Sequence, residues 1–339
     1  MGKWSSFKEQ QLLVESFREF VKEDAAALLQ KKTDDFSKGD VVAVVDFLNS
    51  PVGQDPKVRK ALGAGQVDGS PSDEVMNVDN SATPQVSVMG PTQNEISLMK
   101  SIGYPLSTLG SVDNVKTGDI TGKGNKIVSS GKLVIDGHHR WSSTWAVAGP
   151  NAKISAIDID LPGSSADNKL AAAQVAIAAT MPADSGKVPS ATAQNVDDEG
   201  NPLPSDNILN KDAKTIAKMI LDREGQTVSK EDGGSGYPLL APEYLEKIKH
   251  VPAAQEYWGL KPEMTPDQVK GTIVSVVAGN LSQLPPAQGP PRDYMPQFDG
   301  GDTHDGQVSL DQVKAKAKSG EVNYKSMYEA IYTRWKKLL

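Results

Sequence analysis

Residues 131–146 read G-K-L-V-I-D-G-H-H-R-W-S-S-T-W-A. Leu133–Val134–Ile135 is a short apolar run that reads as a strand, and Asp136-Gly137 reads as a tight turn. Arg140 to Val147 reads as a helix, stopped by Gly149-Pro150. Two of the four histidines of the chain, His138 and His139, stand side by side at the junction. A strand that turns directly into a helix presents unpaired backbone N–H groups, and such groups attract anions. The stretch therefore predicts a site that handles phosphate or a nucleophile.

Outward from this junction, residues 86–162 read as one α/β domain. Val86–Val88 is a candidate strand. Thr92 followed by Glu95 has the spacing of a capping box, which predicts a helix through Ile96, Leu98 and Met99, ended by Gly103. Residues 116–126 are polar and glycine-rich, a loop. Ile154–Leu161 alternates I-S-A-I-D-I-D-L, the strongest strand pattern in the chain, and Pro162 closes it.

Residues 1–85 read as a helical segment over 7–30 followed by a polar linker from 49. Residues 163–339 read as mostly helical. Ala166–Ala179 is alanine-rich, and Lys211–Arg223 is amphipathic. One or two helices lie between Pro242 and Leu260, broken near Pro252. Thr265-Pro266 opens another helix, to about Leu284. Residues 285–306 are extended, and a last helix carries Tyr324 to Leu339. The fold class expected is α+β, a small mixed-sheet domain surrounded by helices and long irregular segments.

Composition excludes several functions. The 339 residues include no cysteine, so disulfides, thiolate catalysis and Cys-ligated metals are ruled out. Net charge is −7, unlike a protein whose whole surface grips DNA. The N-terminus has no apolar core of a signal peptide, and no run of 18 apolar residues occurs, so no membrane partner is expected. The expected location is cytoplasmic.

Each polar residue near the junction has a chemical and a plain reading. His138 and His139 project about 100° apart on a helix start, so they do not chelate one ion together. Either can move a proton or touch phosphate, or else cap and pack. Arg140 offers a planar fork for phosphate or an ion pair with a nearby acid. Asp136 can hold a metal, orient a histidine or form an Asx-turn. Ser142 and Ser143 can add hydroxyl donors to a phosphate cradle, or cap the helix. Glu95 reads as a general base, a Mg²⁺ carboxylate or a capping residue, and Gln93 as an amide contact or a turn residue. Trp141 and Trp145 share a face and read as core. D-G-G-D-T-H-D-G at 299–306 has the carboxylate density of a Ca²⁺ loop but lacks the EF-hand pattern.

The D-G-H-H-R-W of 136–141 resembles the signature of the ParB/sulfiredoxin superfamily. Sulfiredoxins carry G-C-H-R at what looks like Gly137–Arg140. P-T-Q-N-E-I at 91–96 resembles the first loop of that superfamily, and S-I-G-Y-P-L at 101–106 is loosely similar to its next loop. About 80 residues are covered. His138 takes the place of the reactive cysteine of sulfiredoxins, so thiol chemistry is not implied. The resemblance implies a nucleotide-phosphate pocket, as in free-serine kinases and ParB-like nucleases. In it Gly137, His138, His139 and Arg140 would grip phosphates, with ATP or ADP (or CTP) and Mg²⁺ as cofactors, and Glu95 would be the base or metal carboxylate. The polar loops also look like those of large tailed phages, which would place the protein in a host cytoplasm or a virion.

Three functions follow as expectations. The first is a nucleotide-dependent phosphotransferase or phosphohydrolase with a small hydroxyl-bearing acceptor. The second is a DNA-acting nuclease or base kinase, with Lys100, Lys116, Lys123, Lys126 and Lys132 as a local basic groove. The third is a non-enzymatic virion or scaffold protein, with oligomers as its working form.

Overall fold

Five short strands frame the junction in the computed structural model, which describes residues 80–159, 161, 166, 169–170, 173, 206–228, 236–289, 298–299 and 308–309. They are β1 (Asn80–Ala82), β2 (Gly90–Pro91), β3 (Ile127–Ser130), β4 (Leu133–Asp136) and β5 (Ala156–Asp158), in the order β1-β5-β3-β4-β2. β4 pairs antiparallel with β3 and parallel with β2, while β5 pairs parallel with β3 and antiparallel with β1. The sheet is mixed, and with its helices the fold is α+β. Gly131 makes the β3–β4 turn with φ +58°, a backbone region that favours glycine. Asp158 ties this turn to β5, its Oδ1 accepting from Ser129 Oγ and from the Gly131 N–H at 2.9 Å each.

Three local expectations are corrected. Val86–Val88 is a turn of 3-10 helix, not a strand. The Val86 carbonyl is taken by the Trp141 indole N–H at 3.0 Å. Thr92 and Glu95 do not open a helix. The Thr92 hydroxyl donates to the Val134 carbonyl at 2.6 Å, so it serves the sheet instead. Ser97 is the cap, its Oγ accepting the Lys100 N–H, and helix α1 runs Leu98–Ile102 to Gly103. Among the described residues, the alternating stretch at 154–161 forms ladder over β5, and the Ile159 N–H continues to the Ser129 carbonyl at 2.7 Å. Ile154 before β5 bonds back to the Pro84 carbonyl at 3.0 Å.

The remaining helices start where the sequence signals them. After α2 (Leu109–Asn114) and α3 (His138–Ala148) come α4 (Ala213–Leu221), α5 (Pro242–Ile248), α6 (Pro252–Trp258) and α7 (Pro266–Leu281). Asp212 caps α4 by accepting the Thr215 N–H at 2.8 Å. α5 and α6 each begin on a proline, which has no N–H to leave unpaired. Thr265 and Gln268 make a capping box on α7.

α3 lies against β3 and β4, and α1, α6 and α7 pack on it. Trp141 and Trp145 meet edge to face at 5.3 Å inside this layer. The last carbonyls of α3 lack intrahelical partners, and other helices supply them. Trp258 Nε1 donates to Val147 O at 3.1 Å, and Asn280 Nδ2 donates to Ala146 O at 3.0 Å. One hydrophobic cluster runs from Val86, Val134 and Trp141 through Ile216, Tyr244, Trp258 and Val277.

By packing, Asp79–Ile159 and Ala191–Met295 form one compact unit. The other comprises Met1–Val78, Asp160–Ser190 and Pro296–Leu339. In it Phe298–Asp299 (β6) and Val308–Ser309 (β7) pair parallel, and Ala166, Lys169, Leu170 and Ala173 are helical. The predicted helices at 7–30 and 324–339, residues 49–79 of the linker expected over 49–85 and residues 300–306 of the acidic loop lie outside the described residues, while residues 80–82 of that linker are instead strand β1, paired with β5. No helix among the described residues is long and apolar enough to cross a membrane.

Candidate functional site

The site begins at Gly137, the residue between β4 and α3. Its φ is +86°, and a Cβ there would stand 2.8 Å from Ile127 Cγ2 and 2.9 Å from Arg140 Nη2. Only glycine lets the chain turn this tightly from sheet to helix against those neighbours. The consequence is that Asp136, His138, His139 and Arg140 emerge together at the N-terminus of an eleven-residue helix. That end of the helix carries partial positive charge.

The imidazoles connect this helix start to the loop before α1. His138 is buried, and its Nε2 lies 3.2 Å from the Thr92 N and 3.1 Å from Thr92 Oγ1. The Thr92 hydroxyl proton goes to Val134 O, so the backbone N–H is the donor to Nε2. His139 Nε2 accepts the Ser97 N–H at 3.1 Å. A backbone N–H can only donate, so both Nε2 atoms act as lone-pair acceptors and the proton of each neutral ring sits on Nδ1. The two rings thereby brace both ends of residues 92–97.

That loop carries Gln93 and Glu95. Gln93 is buried, and its Nε2 donates to the Glu95 carbonyl at 2.5 Å. The Glu95 residue is half-buried. Arg140 and Asp136 sit across the turn with Nη2 and Oδ2 3.8 Å apart, each side chain about a quarter exposed. The two bonds bring the loop that carries Gln93 and Glu95 against the helix start that carries His138 and His139, although the two segments lie more than 40 residues apart.

Ser142 and Ser143 do not join them. Ser142 Oγ meets Ser101 Oγ at 2.7 Å, and Ser143 Oγ donates to Lys100 O at 3.4 Å. Both serines are buried in the α1–α3 contact, which corrects their expected place in a phosphate cradle. Thr144 Oγ1 likewise donates back to Arg140 O at 2.9 Å.

Sequence reasoning missed the far wall of the loop. Asp206–Ile208 runs antiparallel beside it, bridging Ser97 to Asn207. Leu98 N donates to Asp206 O and Ile208 N to Ile96 O, both at 2.9 Å. The Asp206 carboxylate accepts from Ser97 Oγ at 2.7 Å and from Met99 N at 3.2 Å. Nothing in the polar stretch S-D-N-I at 205–208 distinguishes it from an ordinary loop.

Of the expected basic groove, Lys116 is paired with Glu256 of α6 at 2.7 Å. Lys123, Lys126 and Lys132 are exposed, and Lys100 is half-buried. Among the described residues no group of three or more His, Asp or Glu side chains is placed to hold a metal. No family model, no curated protein and no solved structure matches this chain.

Proposed function

We propose that the β4–α3 junction binds the phosphates of a nucleotide and that the protein is a nucleotide-dependent phosphotransferase or phosphohydrolase with a ParB/sulfiredoxin-like pocket. The observation that carries this reading is the pair of imidazole–amide bonds. They hold the Gln93–Glu95 loop against a helix N-terminus that also bears Arg140. A helix start and a guanidinium suit phosphate oxygens, and a nearby carboxylate suits an attacking hydroxyl or water. Glu95 is assigned that carboxylate role. His138 and His139 are positioning residues, since their Nε2 atoms are engaged inside the protein.

Mg²⁺ usually keeps several waters and takes one or two carboxylates beside substrate phosphates. The partly exposed Asp136 and the half-buried Glu95 suit that donor set, whereas an all-protein cage has no such cluster among the described residues. When bound with the nucleotide, the ion would neutralise phosphate charge.

The test is binding and turnover of ATP, ADP and CTP with Mg²⁺, beside Arg140→Ala. A hydrogen bond to a charged group contributes about 1.5–3 kcal/mol, so the variant should weaken binding roughly tenfold to a hundredfold. Folded wild type that neither binds nor turns over any of the three rejects the proposal.

A second reading, a DNA-acting enzyme, is favoured by the exposed Lys123, Lys126 and Lys132 beside the β3–β4 hairpin. It requires DNA affinity that falls steeply with salt. Absence of binding at low salt removes it.

A further inference from the structure

The side chain of Asn207 grips the peptide groups on both sides of Glu95. Its Oδ1 accepts the Ile96 N–H at 3.0 Å, and its Nδ2 donates to the Asn94 carbonyl at 3.0 Å. The same Oδ1 accepts the Leu209 N–H at 3.1 Å, which fixes the amide plane. Ile208 N adds a bond to Ile96 O, and Gln93 Nε2 holds the Glu95 carbonyl. Every peptide group from Asn94 O to Ile96 O that could rotate the Glu95 side chain is therefore tied down, two of them by one residue.

We infer that Asn207 is the positioning residue that aims the Glu95 carboxylate, supplied from more than 100 residues downstream. The inference rests on the reading of Glu95 as the reactive carboxylate. The chemistry needs this residue type. A planar amide offers one donor and one acceptor at fixed separation, matching a carbonyl and an N–H two residues apart. Aspartate keeps the acceptor for Ile96 and Leu209 but sets a carboxylate oxygen against the Asn94 carbonyl. Alanine removes both contacts. Reaction rates are sensitive to such aim, since a misplacement of about 1 Å can cost roughly a hundredfold.

The experiment compares wild type, Asn207→Asp, Asn207→Ala, Glu95→Gln and the Asn207→Asp/Glu95→Gln double variant. Nucleotide turnover, nucleotide Kd and amide hydrogen exchange of residues 94–97 are measured on the full chain. Asn207→Asp should lower kcat about tenfold to a hundredfold while Kd stays within about twofold. The double variant should be no slower than Glu95→Gln alone, because a misaimed residue has nothing left to lose once its carboxylate is gone. Independent, multiplying losses would overturn the inference, as would an unchanged kcat in Asn207→Asp. If Asn207→Ala does not fold, Asn207→Asp carries the comparison. If wild type shows no nucleotide activity, the functional reading fails and exchange decides the rest. Exchange at Ile96 at least about tenfold faster in Asn207→Ala, which removes its acceptor, supports the clamp, and unchanged exchange rejects it. Asn207→Leu takes its place in this measurement if the alanine variant does not fold.

Discussion

His139 Nε2 accepts the backbone N–H of Ser97 at 3.1 Å, so an imidazole on one helix caps the entry to another. Ser97 is buried, and the His139 ring that accepts its N–H is partly buried. His139→Ala should therefore destabilise the fold by about 1–3 kcal/mol, the usual cost of a buried donor left unsatisfied. His139→Gln, whose amide oxygen can accept, should recover part of that loss. Urea unfolding of the three proteins measures it, and equal stability of alanine and wild type would show that the bond contributes nothing. Long-range ¹⁵N–¹H correlations should also find the proton on Nδ1 of both His138 and His139.

Gly137→Ala tests the turn. The added Cβ meets Ile127 and Arg140 below 3 Å, at a φ of +86°. The conformation alone costs roughly 1–2 kcal/mol for a non-glycine residue, and the contact with Ile127 adds to it. The midpoint of chemical denaturation should fall accordingly. A variant as stable as wild type would mean that the junction relaxes without penalty.

Trp141 fills the space between α3 and the 86–88 turn, fully buried, with its indole N–H on Val86 O. Trp141→Ala should cost about 3–5 kcal/mol. Trp141→Phe keeps much of the ring and leaves the Val86 carbonyl its bond from the Met89 N–H at 3.3 Å, so its loss should be smaller. If both variants retain wild-type stability, the indole is not part of the core.

Alkaline pH should destabilise the protein chiefly through the buried Tyr244. Tyr244 is buried with its hydroxyl donating to Pro105 O at 2.7 Å, and burial pushes its pKa well above the ordinary value. Tyr104 and Tyr257 shift the same way, burial again being the main cause. The folded state prefers the neutral phenol, so this stabilisation is complete below about pH 10 and is lost as pH rises beyond it. Tm should drop above that pH. In Tyr244→Phe the drop should be shallower, although the neutral-pH Tm is lowered by the missing bond. A Tm flat to pH 11 would contradict the assignment.

The β4–α3 junction was legible because punctuation and period agreed. An apolar run, Asp-Gly and a helical pattern occur in the order that strand, turn and helix require. The capping-box spacing of Thr92 and Glu95 misled for a tertiary reason. The Val134 carbonyl, brought near by the sheet, takes the hydroxyl that would otherwise cap. β3 was hidden because only Ile127 and Val128 are apolar, and its buried Ser129 is satisfied by its hydroxyl bond to Asp158 of β5. At the site, residue identities could be read but not their partners. His138 and His139 bind backbone N–H groups, which every residue but proline carries, and Asn207 grips backbone on both sides. No pattern of side chains announces such contacts.

The Asp206–Ile208 segment also bears on the order in which the molecule assembles. Its bonds to residues 94–99 and those of Trp258 and Asn280 to the end of α3 span roughly 110 to 134 positions of chain. Contacts this distant slow folding, since a long loop must close before they form. During synthesis the sheet and α3 leave the ribosome well before the residues that complete them. The half-made protein therefore carries the end of α3 without cover until α6 and α7 emerge, which makes chaperone capture of the nascent chain an expected stage of its life.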